Sequence, residues 1–282
     1  MKKELLNIQS GKIKKENNVI FDDLSLELFQ EEIAGIVFDD ILEQKLFINM
    51  MLGDIILYSG RIFINEERKT YEEAARLLKQ QVAVISSKSK LLPSITIEDN
   101  IFLFSDKKIF LDQKEYRERF LKLMNELSIS DDMPHKVRNL SSKEKVIIEL
   151  LKAYEEKKKI VILDEIISLL SEKDLREIFA LINKMKSQMT FLITVGIEDF
   201  IMDWMESIVV VQNGRTTFVS GISQLNCKLS KVLKALIYEN KSEMFNAYGR
   251  NVINRQKDVL KINNVSTRYL KGINFTLGSG EL

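Results

Sequence analysis

The sequence predicts an α/β fold, in which short buried strands alternate along the chain with amphipathic helices. Apolar runs of strand length occur at residues 33–38, 82–86, 160–164, 190–194 and 207–212. Between these runs, apolar side chains recur at helical spacing, for example over residues 70–81 and 172–187. This alternation is typical of a sheet that is covered by helices.

Smaller features place the remaining elements. Residues 19–28 alternate between apolar and polar side chains, which predicts an outer strand ahead of the first buried one. The apolar residues that follow this buried strand recur at helical spacing, and Gly53 can end that helix. A short helix is expected near Glu198 to Met205. The Asn213-Gly214 pair predicts a β-hairpin between two strands.

Residues 97–155 differ from the rest of the chain because they contain no convincing strand pattern. Two long amphipathic helical patterns fill most of this stretch, at residues 114–128 and 142–156. We therefore expect a helical subdomain at about residues 97–155.

The composition limits the class of partner. The chain has 282 residues, and its 42 Lys plus Arg balance 41 Asp plus Glu, which gives no electrostatic reason to expect nucleic acid. The single cysteine, Cys227, excludes an internal disulfide and fits a reducing compartment, so a cytoplasmic location is the default. No apolar run approaches the roughly 18 to 20 residues that span a bilayer, so direct membrane insertion is not expected.

The start of the chain is repeated near its end. Residues 5–10 and 21–33 return in similar form at residues 259–264 and 270–282. We divide the chain accordingly into a domain at residues 1–221, a mostly helical linker at residues 222–258, and the start of a second domain at residues 259–282.

The order of these segments resembles the ATP-binding subunits of ABC importers, and most closely the tandem-cassette ATPases of ribose- and galactose-type sugar importers. Four stretches carry the resemblance: GIVFDDILEQKLF, VAVISSKSKLLPSITIEDNIFL, LSSKE before a helix, and IVILDEIISLLSEKDL after it. The resemblance implies a P-loop-NTPase-like cassette with an antiparallel β subdomain and a helical subdomain, followed by the first strands of a second cassette. It also implies ATP and magnesium as ligands, ABC-type ATPase activity, and a membrane permease or an intact ATPase subunit as partner. Such a subunit would lie in the cytoplasm, peripheral to the inner face of the cell membrane.

The phosphate loop of that family is degenerate in this sequence. A loop of the form GxxxxGK[ST] binds phosphate because glycines let backbone N–H groups converge, a lysine neutralises charge, and a hydroxyl holds magnesium. Here the two glycines fall on Phe38 and Glu43, the lysine on Gln44, and the hydroxyl residues on Lys45 and Leu46. Lys45, one residue late, could replace the lysine, but a surface helix lysine is the favoured interpretation.

The carboxylates in this loop oppose a polyanion. Asp39, Asp40 and Glu43 carry negative charge where phosphates would lie. Asp40 and Glu43 also have the spacing of a capping box, which predicts that Asp40, or failing that Asp39, caps a helix beginning near Ile41.

The signature motif of the family has changed as well. LSGGQ becomes Leu140, Ser141, Ser142, Lys143 and Glu144, so side chains replace the glycines that let the γ-phosphate of a partner's nucleotide approach. Ser141 and Glu144 again have the spacing of a capping box, which predicts that the helix start is kept.

Asp164 and Glu165 are the retained pair. By resemblance, Asp164 would order magnesium if nucleotide binds, and Glu165 would polarise the attacking water; the favoured alternative is that both survive as structural caps or ion-pair partners. By the same resemblance, the aromatic residue that stacks on adenine maps to Lys15. The glutamine that contacts magnesium and the permease maps to Ser87, and the histidine after the last core strand maps to Val195. His135 is expected in a loop.

Two functions from different classes follow. The first is a pseudo-ATPase that binds no cofactor and acts as a docking or regulatory module, with or without a permease. The second is an ATP-hydrolysing sugar-import subunit whose competent site comes from a second cassette or a partner. If the chain docks, we expect the contact surface to be the apolar groove around Ser87 to Phe104.

Overall fold

A computed structural model describes most of the chain. The described residues are 2–15, 18–102, 113–130, 133–195, 204–221, 258–265 and 272–278. The chain divides into two compact units, residues 1–230 and residues 231–282.

Ten strands and six helices form the described part of the first unit. The strands are β1 Glu4–Lys15, β2 Asn18–Phe29, β3 Ile33–Phe38, β4 Ser59–Ile64, β5 Glu67–Lys69, β6 Val82–Ser86, β7 Ile160–Asp164, β8 Thr190–Thr194, β9 Ser207–Gln212 and β10 Arg215–Gly221. The helices are α1 Ile41–Met51, α2 Tyr71–Gln81, α3 Ile97–Phe102, α4 Gln113–Glu126, α5 Ser142–Glu155 and α6 Glu172–Met185. Short 3-10 turns occur at Val137–Asn139 and Ile167–Leu169.

All ten strands join one sheet, in the order β5-β4-β1-β2-β10-β9-β3-β8-β7-β6. Strands β9, β3, β8, β7 and β6 are mutually parallel, whereas β5, β4, β1 and β2 pair antiparallel. The sheet and its helices confirm the predicted α/β fold with an antiparallel part. Because parallel strands end at the same edge, the carboxyl ends of β3, β7 and β8 lie side by side.

Helix α1 follows β3 and begins and ends where the sequence predicts. Asp40 caps its start with a side chain that accepts from the Leu42 N–H, and Leu52 caps its end. Gly53 follows in the left-handed region, with a φ of 73°, and a Cβ there would lie 2.1 Å from the Ala75 carbonyl oxygen. Only glycine suits this close approach to α2.

The predicted hairpin joins β9 and β10. Asn213 and Gly214 both have positive φ, of 49° and 71°. The Gly214 carbonyl accepts from the N–H groups of Asp22 and Asp23, at 2.9 and 3.2 Å, so the hairpin tip contacts β2.

The seam between the parallel and antiparallel parts is narrow. Strands β10 and β2 pair through one register pair, Arg215 with Asp23. Next to it, the Thr216 hydroxyl accepts from the Ser25 N–H at 2.8 Å and donates to the Ser25 carbonyl at 2.9 Å. A side chain therefore takes the place of backbone pairing at this seam.

The helical stretch contains the two predicted helices, α4 and α5, and the short α3, which was not predicted. Phe102, Tyr116 and Phe120 are among its fully buried side chains. The guanidinium of Arg119 binds the Glu155 carboxylate at 2.5 Å, which links α4 to α5.

The second unit shows an antiparallel pair, β11 Asp258–Val265 and β12 Ile273–Gly278. These strands contain most of the repeated sequence, and they pair as β1 and β2 do. The predicted domain boundaries remain predictions. Residues 222–257 of the expected linker, and most of the expected helix near Glu198 to Met205, lie outside the described residues. Among the described helices, none is long and apolar enough to cross a membrane.

Candidate functional site

The candidate site lies at the carboxyl edge of the parallel strands. Helix α1 enters it after β3, Asp164 ends β7, and Thr194 ends β8. The register places β3 beside β8 and β8 beside β7, so these three strand ends are neighbours.

Gln44 and Asp164 are in direct contact. The Gln44 side-chain amide donates to Asp164 Oδ1 at 2.7 Å. The Thr194 hydroxyl lies 3.1 Å from the same oxygen and accepts from the Glu165 N–H at 3.0 Å. By the resemblance described above, Gln44 is the residue expected at the lysine position and Asp164 the one expected at the magnesium position, and these two residues bond to each other.

Glu165 follows in an unusual backbone conformation, with a φ of 55°. Its side chain is exposed, and its carbonyl accepts from the Ser168 hydroxyl at 3.0 Å. Within the described residues, no group of three or more His, Cys, Asp or Glu side chains is arranged to hold a metal ion.

The start of α1 confirms the predicted cap but not the capping box. Asp40 Oδ1 accepts from the Leu42 N–H at 2.5 Å, as expected for a cap. The Glu43 carboxylate was expected to reach back to the Asp40 N–H, and this was wrong. Glu43 is instead buried, with a backbone N–H from Gly214 beside its carboxylate.

The burial of Glu43 alters its protonation. Burial is the main cause that raises the pKa of Glu43 to about 7, and the charge of Asp39 raises it further. The hydrogen bond from the Gly214 N–H lowers the pKa of Glu43, and the charge of Asp40 raises it by a smaller amount. Glu43 is thus a carboxyl group that exchanges its proton close to neutral pH.

Phe38, Lys45 and Leu46, from the same segment of the chain, have structural roles. The ring of Phe38 packs on Phe47, with centroids 5.3 Å apart. Lys45 is exposed, which agrees with the interpretation as a surface lysine, and Leu46 belongs to the core.

The signature segment caps α5, as predicted. The Ser141 hydroxyl accepts from the Glu144 N–H at 3.3 Å, and the Glu144 carboxylate accepts from the Ser141 N–H at 2.7 Å. Lys143 forms ion pairs with two carboxylates of α6. Its ammonium binds Glu177 at 2.8 Å and Asp174 at 3.4 Å, and the Glu177 hydrogen bond is the largest cause of its raised pKa.

Ser87 and Ser142 line one small cavity of about 80 Å³. Glu149 also lines it and anchors the loop after β6, because its carboxylate accepts from the Ser89 hydroxyl at 2.6 Å and the Lys90 N–H at 2.8 Å. Burial raises the pKa of Glu149. This cavity is smaller than the about 300 to 1,000 Å³ of ordinary ligand pockets.

The apolar groove expected around Ser87 to Phe104 is mostly core. Leu91, Ile97, Ile101 and Phe102 are all buried, whereas Leu92 is 43% exposed. These buried side chains are therefore core residues, and docking through the rest of the segment from Ser87 to Phe104 stays a prediction. Residues 103–104 lie outside the described residues.

Sequence reasoning missed two contacts and one orientation. It did not pair Gln44 with Asp164, and it did not include Thr194. It also did not foresee that Glu43 would turn toward the hairpin. Val195 is buried, His135 is exposed beside Glu98, and the side chain of Lys15 lies outside the described residues.

Comparisons with known proteins agree with this architecture. Residues 45–168 match the profile of the ABC transporter family, so the match begins just after Gln44. The chain is 22% identical over 93% of its length to a galactose/methyl galactoside import ATP-binding protein of Clostridium perfringens, of which it covers 51%. It is 24% identical over 93% of its length to a ribose import ATP-binding protein of Clostridium tetani, of which it covers 52%. The chain thus spans about half the length of these curated relatives.

Solved structures show the same fold. An ATP-binding cassette of an ABC transporter in its ADP conformation matches with a TM-score of 0.70 and 20% identity, over 83% of this chain and 98% of that one. The cbiO1 protein of Clostridium perfringens, part of an ABC transporter complex, matches with a TM-score of 0.69 and 15% identity, over 87% of this chain and 99% of that one. Residues 45–168 therefore resemble an ABC transporter domain, and the chain has the fold of an ATP-binding cassette.

Proposed function

We propose that this cassette is a pseudo-ATPase of the sugar-import type, which acts as a docking or regulatory module. One observation carries the proposal most directly: the Gln44 amide donates to Asp164 Oδ1 at 2.7 Å. In a working site, a lysine at the first position would face phosphate and an acid at the second would face magnesium. Here the Gln44 amide and the Asp164 carboxylate hydrogen-bond to each other instead.

The other groups of the site do not fit a bound polyphosphate. Asp40 already accepts from the helix N–H group of Leu42, and Phe38 packs on Phe47 where a glycine would leave room. Glu43 and Asp39 add carboxyl groups at the same place. These contacts support a loss of nucleotide binding.

The size of the effect can be bounded. Each hydrogen bond to a charged group contributes about 1.5 to 3 kcal/mol, so losing three or four weakens binding by roughly 5 kcal/mol or more. At about 1.4 kcal/mol per decade, the loss is on the order of a thousandfold. Binding that is micromolar in an intact cassette would become millimolar here.

The sugar-import part of the proposal rests on the similarity to galactose- and ribose-import ATP-binding proteins. By that similarity, the partner is a membrane permease or an intact ATPase subunit, and the chain acts in the cytoplasm at the inner face of the membrane. Neither nucleic acid nor direct insertion into the membrane is part of this proposal.

A second candidate function is an ATP-hydrolysing subunit that works with a competent second cassette or partner. Two observations favour it. Asp164 and Glu165 are retained, and the β11–β12 pair repeats the sequence and the antiparallel pairing of β1–β2. In this case the first cassette would support hydrolysis elsewhere without binding nucleotide tightly.

Calorimetric titration with ATP and magnesium tests the proposal. We expect no measurable heat at tens of micromolar nucleotide, given the roughly thousandfold loss. An intact sugar-import cassette, titrated in parallel, is the positive control. A micromolar dissociation constant would refute the pseudo-ATPase, and steady phosphate release by the chain would favour the second candidate.

A further inference from the structure

A separate cleft lies at the other edge of the parallel strands. It has a volume of about 410 Å³, and its lining includes the residues that precede β3, β6, β7 and β8. The Lys159 N–H donates to the Gln81 carbonyl at 2.8 Å, and the Thr190 N–H donates to the Lys159 carbonyl at 2.8 Å, so these strand starts are fixed side by side. Gln44 and Asp164 lie at the opposite edge.

The cleft carries an excess of positive charge. Lys157 and Lys159 line it and are exposed, and no ion pair joins either ammonium to another described residue. Lys158 differs, because its ammonium donates to the Gln80 carbonyl at 2.9 Å. Among the described residues of the lining, Glu31 is the one carboxylate. The lining therefore includes two lysines without an ion pair to a described residue, and one carboxylate.

The rest of the lining is rich in neutral polar groups. Side-chain amides come from Gln30, Asn65 and Gln81, and a hydroxyl comes from Ser187. Within the described part of the chain, these four side chains make no hydrogen bond to other groups. Such donors and acceptors suit the hydroxyl groups of a small ligand, whereas the lysines suit a phosphate.

The shape of the cleft depends on three tight turns. Glu31, Asn65 and Lys157 have φ angles of 61°, 52° and 55°. A residue other than glycine adopts this region at a cost of roughly 1 to 2 kcal/mol. These turns end three different elements, β2, β4 and α5, and all three residues line the cleft.

From this lining, we propose that the cleft binds a phosphorylated small molecule with several hydroxyl groups, of the sugar phosphate class. Lys157 and Lys159 hold the phosphate, and the amides of Gln30, Asn65 and Gln81 bind hydroxyl groups. The volume lies within the range of about 300 to 1,000 Å³ that small-molecule pockets have. This site does not depend on the pseudo-ATPase proposal, because it uses none of the same residues.

Calorimetry with glucose 6-phosphate tests the site, with glucose and inorganic phosphate as partial probes. We expect saturable binding of glucose 6-phosphate and weaker binding of each partial probe. The double variant Lys157→Ala/Lys159→Ala should weaken binding by about tenfold or more, because it removes both charges. The matched control Lys88→Ala/Lys173→Ala removes two exposed lysines elsewhere and should leave the affinity unchanged.

The variant Glu31→Gln provides an independent measurement. It removes the carboxylate that opposes the phosphate, so we expect binding to become several-fold tighter. All variants change exposed side chains, and unchanged circular dichroism would show that they fold.

Three results would overturn the proposal. The first is the absence of saturable binding by glucose 6-phosphate. The second is equal loss of affinity in the Lys157/Lys159 and Lys88/Lys173 double variants. The third is binding to vesicles that contain phosphatidylinositol 4-phosphate without binding of the free sugar phosphate, which would assign the phosphate chemistry to a lipid surface.

Discussion

Glu43 is a carboxyl group buried beside two other acids at the start of α1. Its Oε2 atom has no hydrogen-bond partner among the described residues, and its pKa is raised to about 7, chiefly by burial. Between about pH 4.5 and 7 the folded protein keeps a proton that the unfolded chain releases. The free energy of unfolding therefore falls as pH rises through this window. The stability that the bound proton contributes is fully present only below about pH 4.5.

The substitution Glu43→Gln should remove this pH dependence. A glutamine keeps an acceptor for the Gly214 N–H but carries no charge at any pH. We expect the variant to exceed the parent in free energy of unfolding by about 1 to 3 kcal/mol near pH 8, and to differ little near pH 4. Urea unfolding at both pH values measures the difference.

The control for this prediction is Glu72→Gln, which removes an exposed carboxylate from the first turn of α2. It should change stability little at either pH. A Glu43→Gln variant that behaves like this control would contradict the assigned burial.

The sequence pointed to Glu43, Gln44 and Asp164 as candidate site residues, but not to Thr194 and not to the bonds between them. The contact between Gln44 and Asp164 joins positions far apart in the chain, and only the parallel register of β3, β8 and β7 brings them together. Glu43 has the spacing of a capping box, but the buried Gly214 N–H competes for its carboxylate. Local patterns cannot rank a local acceptor against one from a distant hairpin.

Among the helices, α5 begins with a capping box formed by Ser141 and Glu144. Ser141 and Glu144 satisfy each other's N–H groups, while Lys143 is tied to α6 through Glu177. We expect Ser141→Ala to lower the free energy of unfolding by about 1 kcal/mol, because the Glu144 N–H loses its acceptor. For a domain of this size, that corresponds to a fall of about 2 to 4 °C in the midpoint of thermal unfolding.

Ser94→Ala is the matched control, since Ser94 is exposed and none of the described hydrogen bonds uses its hydroxyl. It should leave the midpoint unchanged. If the two variants shift the midpoint equally, the capping role of Ser141 is wrong.

The positions of the helices and strands were largely predictable because their apolar periodicity is strong. Helices α2, α5 and α6 begin and end within a few residues of the predicted bounds. The groove around Leu91 and Ile101 was not predictable in the same way. Apolar side chains in a connecting segment can pack inward or outward, and only the arrangement of α3 against α5 decides between them.

For the whole molecule, we predict that the chain sediments as a monomer with or without ATP. A closed pair of cassettes would lack nucleotide between its halves, and closing would desolvate the ion pairs of Lys143 with Asp174 and Glu177. Analytical ultracentrifugation at several protein concentrations measures the state.

A dimer that forms only with ATP would contradict both this prediction and the pseudo-ATPase. A dimer that forms equally with and without ATP would indicate an interface in the second unit, where Leu260 and Val265 are each 45% exposed on a two-stranded sheet. In that case Leu260→Lys should dissociate it, because a lysine on an exposed edge opposes strand pairing.

The narrow seam at β10 and β2 has a mechanical consequence. Although the ten strands form one sheet, β10 and β2 are joined by one register pair, the Gly214 carbonyl, the hydroxyl of Thr216 and the ion pair between Arg215 and Asp22. Under tension, or in slow native-state amide exchange, such a junction opens before the ladders on either side of it. The ten strands would then behave as two cooperative blocks, with β1, β2, β4 and β5 in one and β10 with the five parallel strands in the other, and these few bonds would set how closely their opening is coupled.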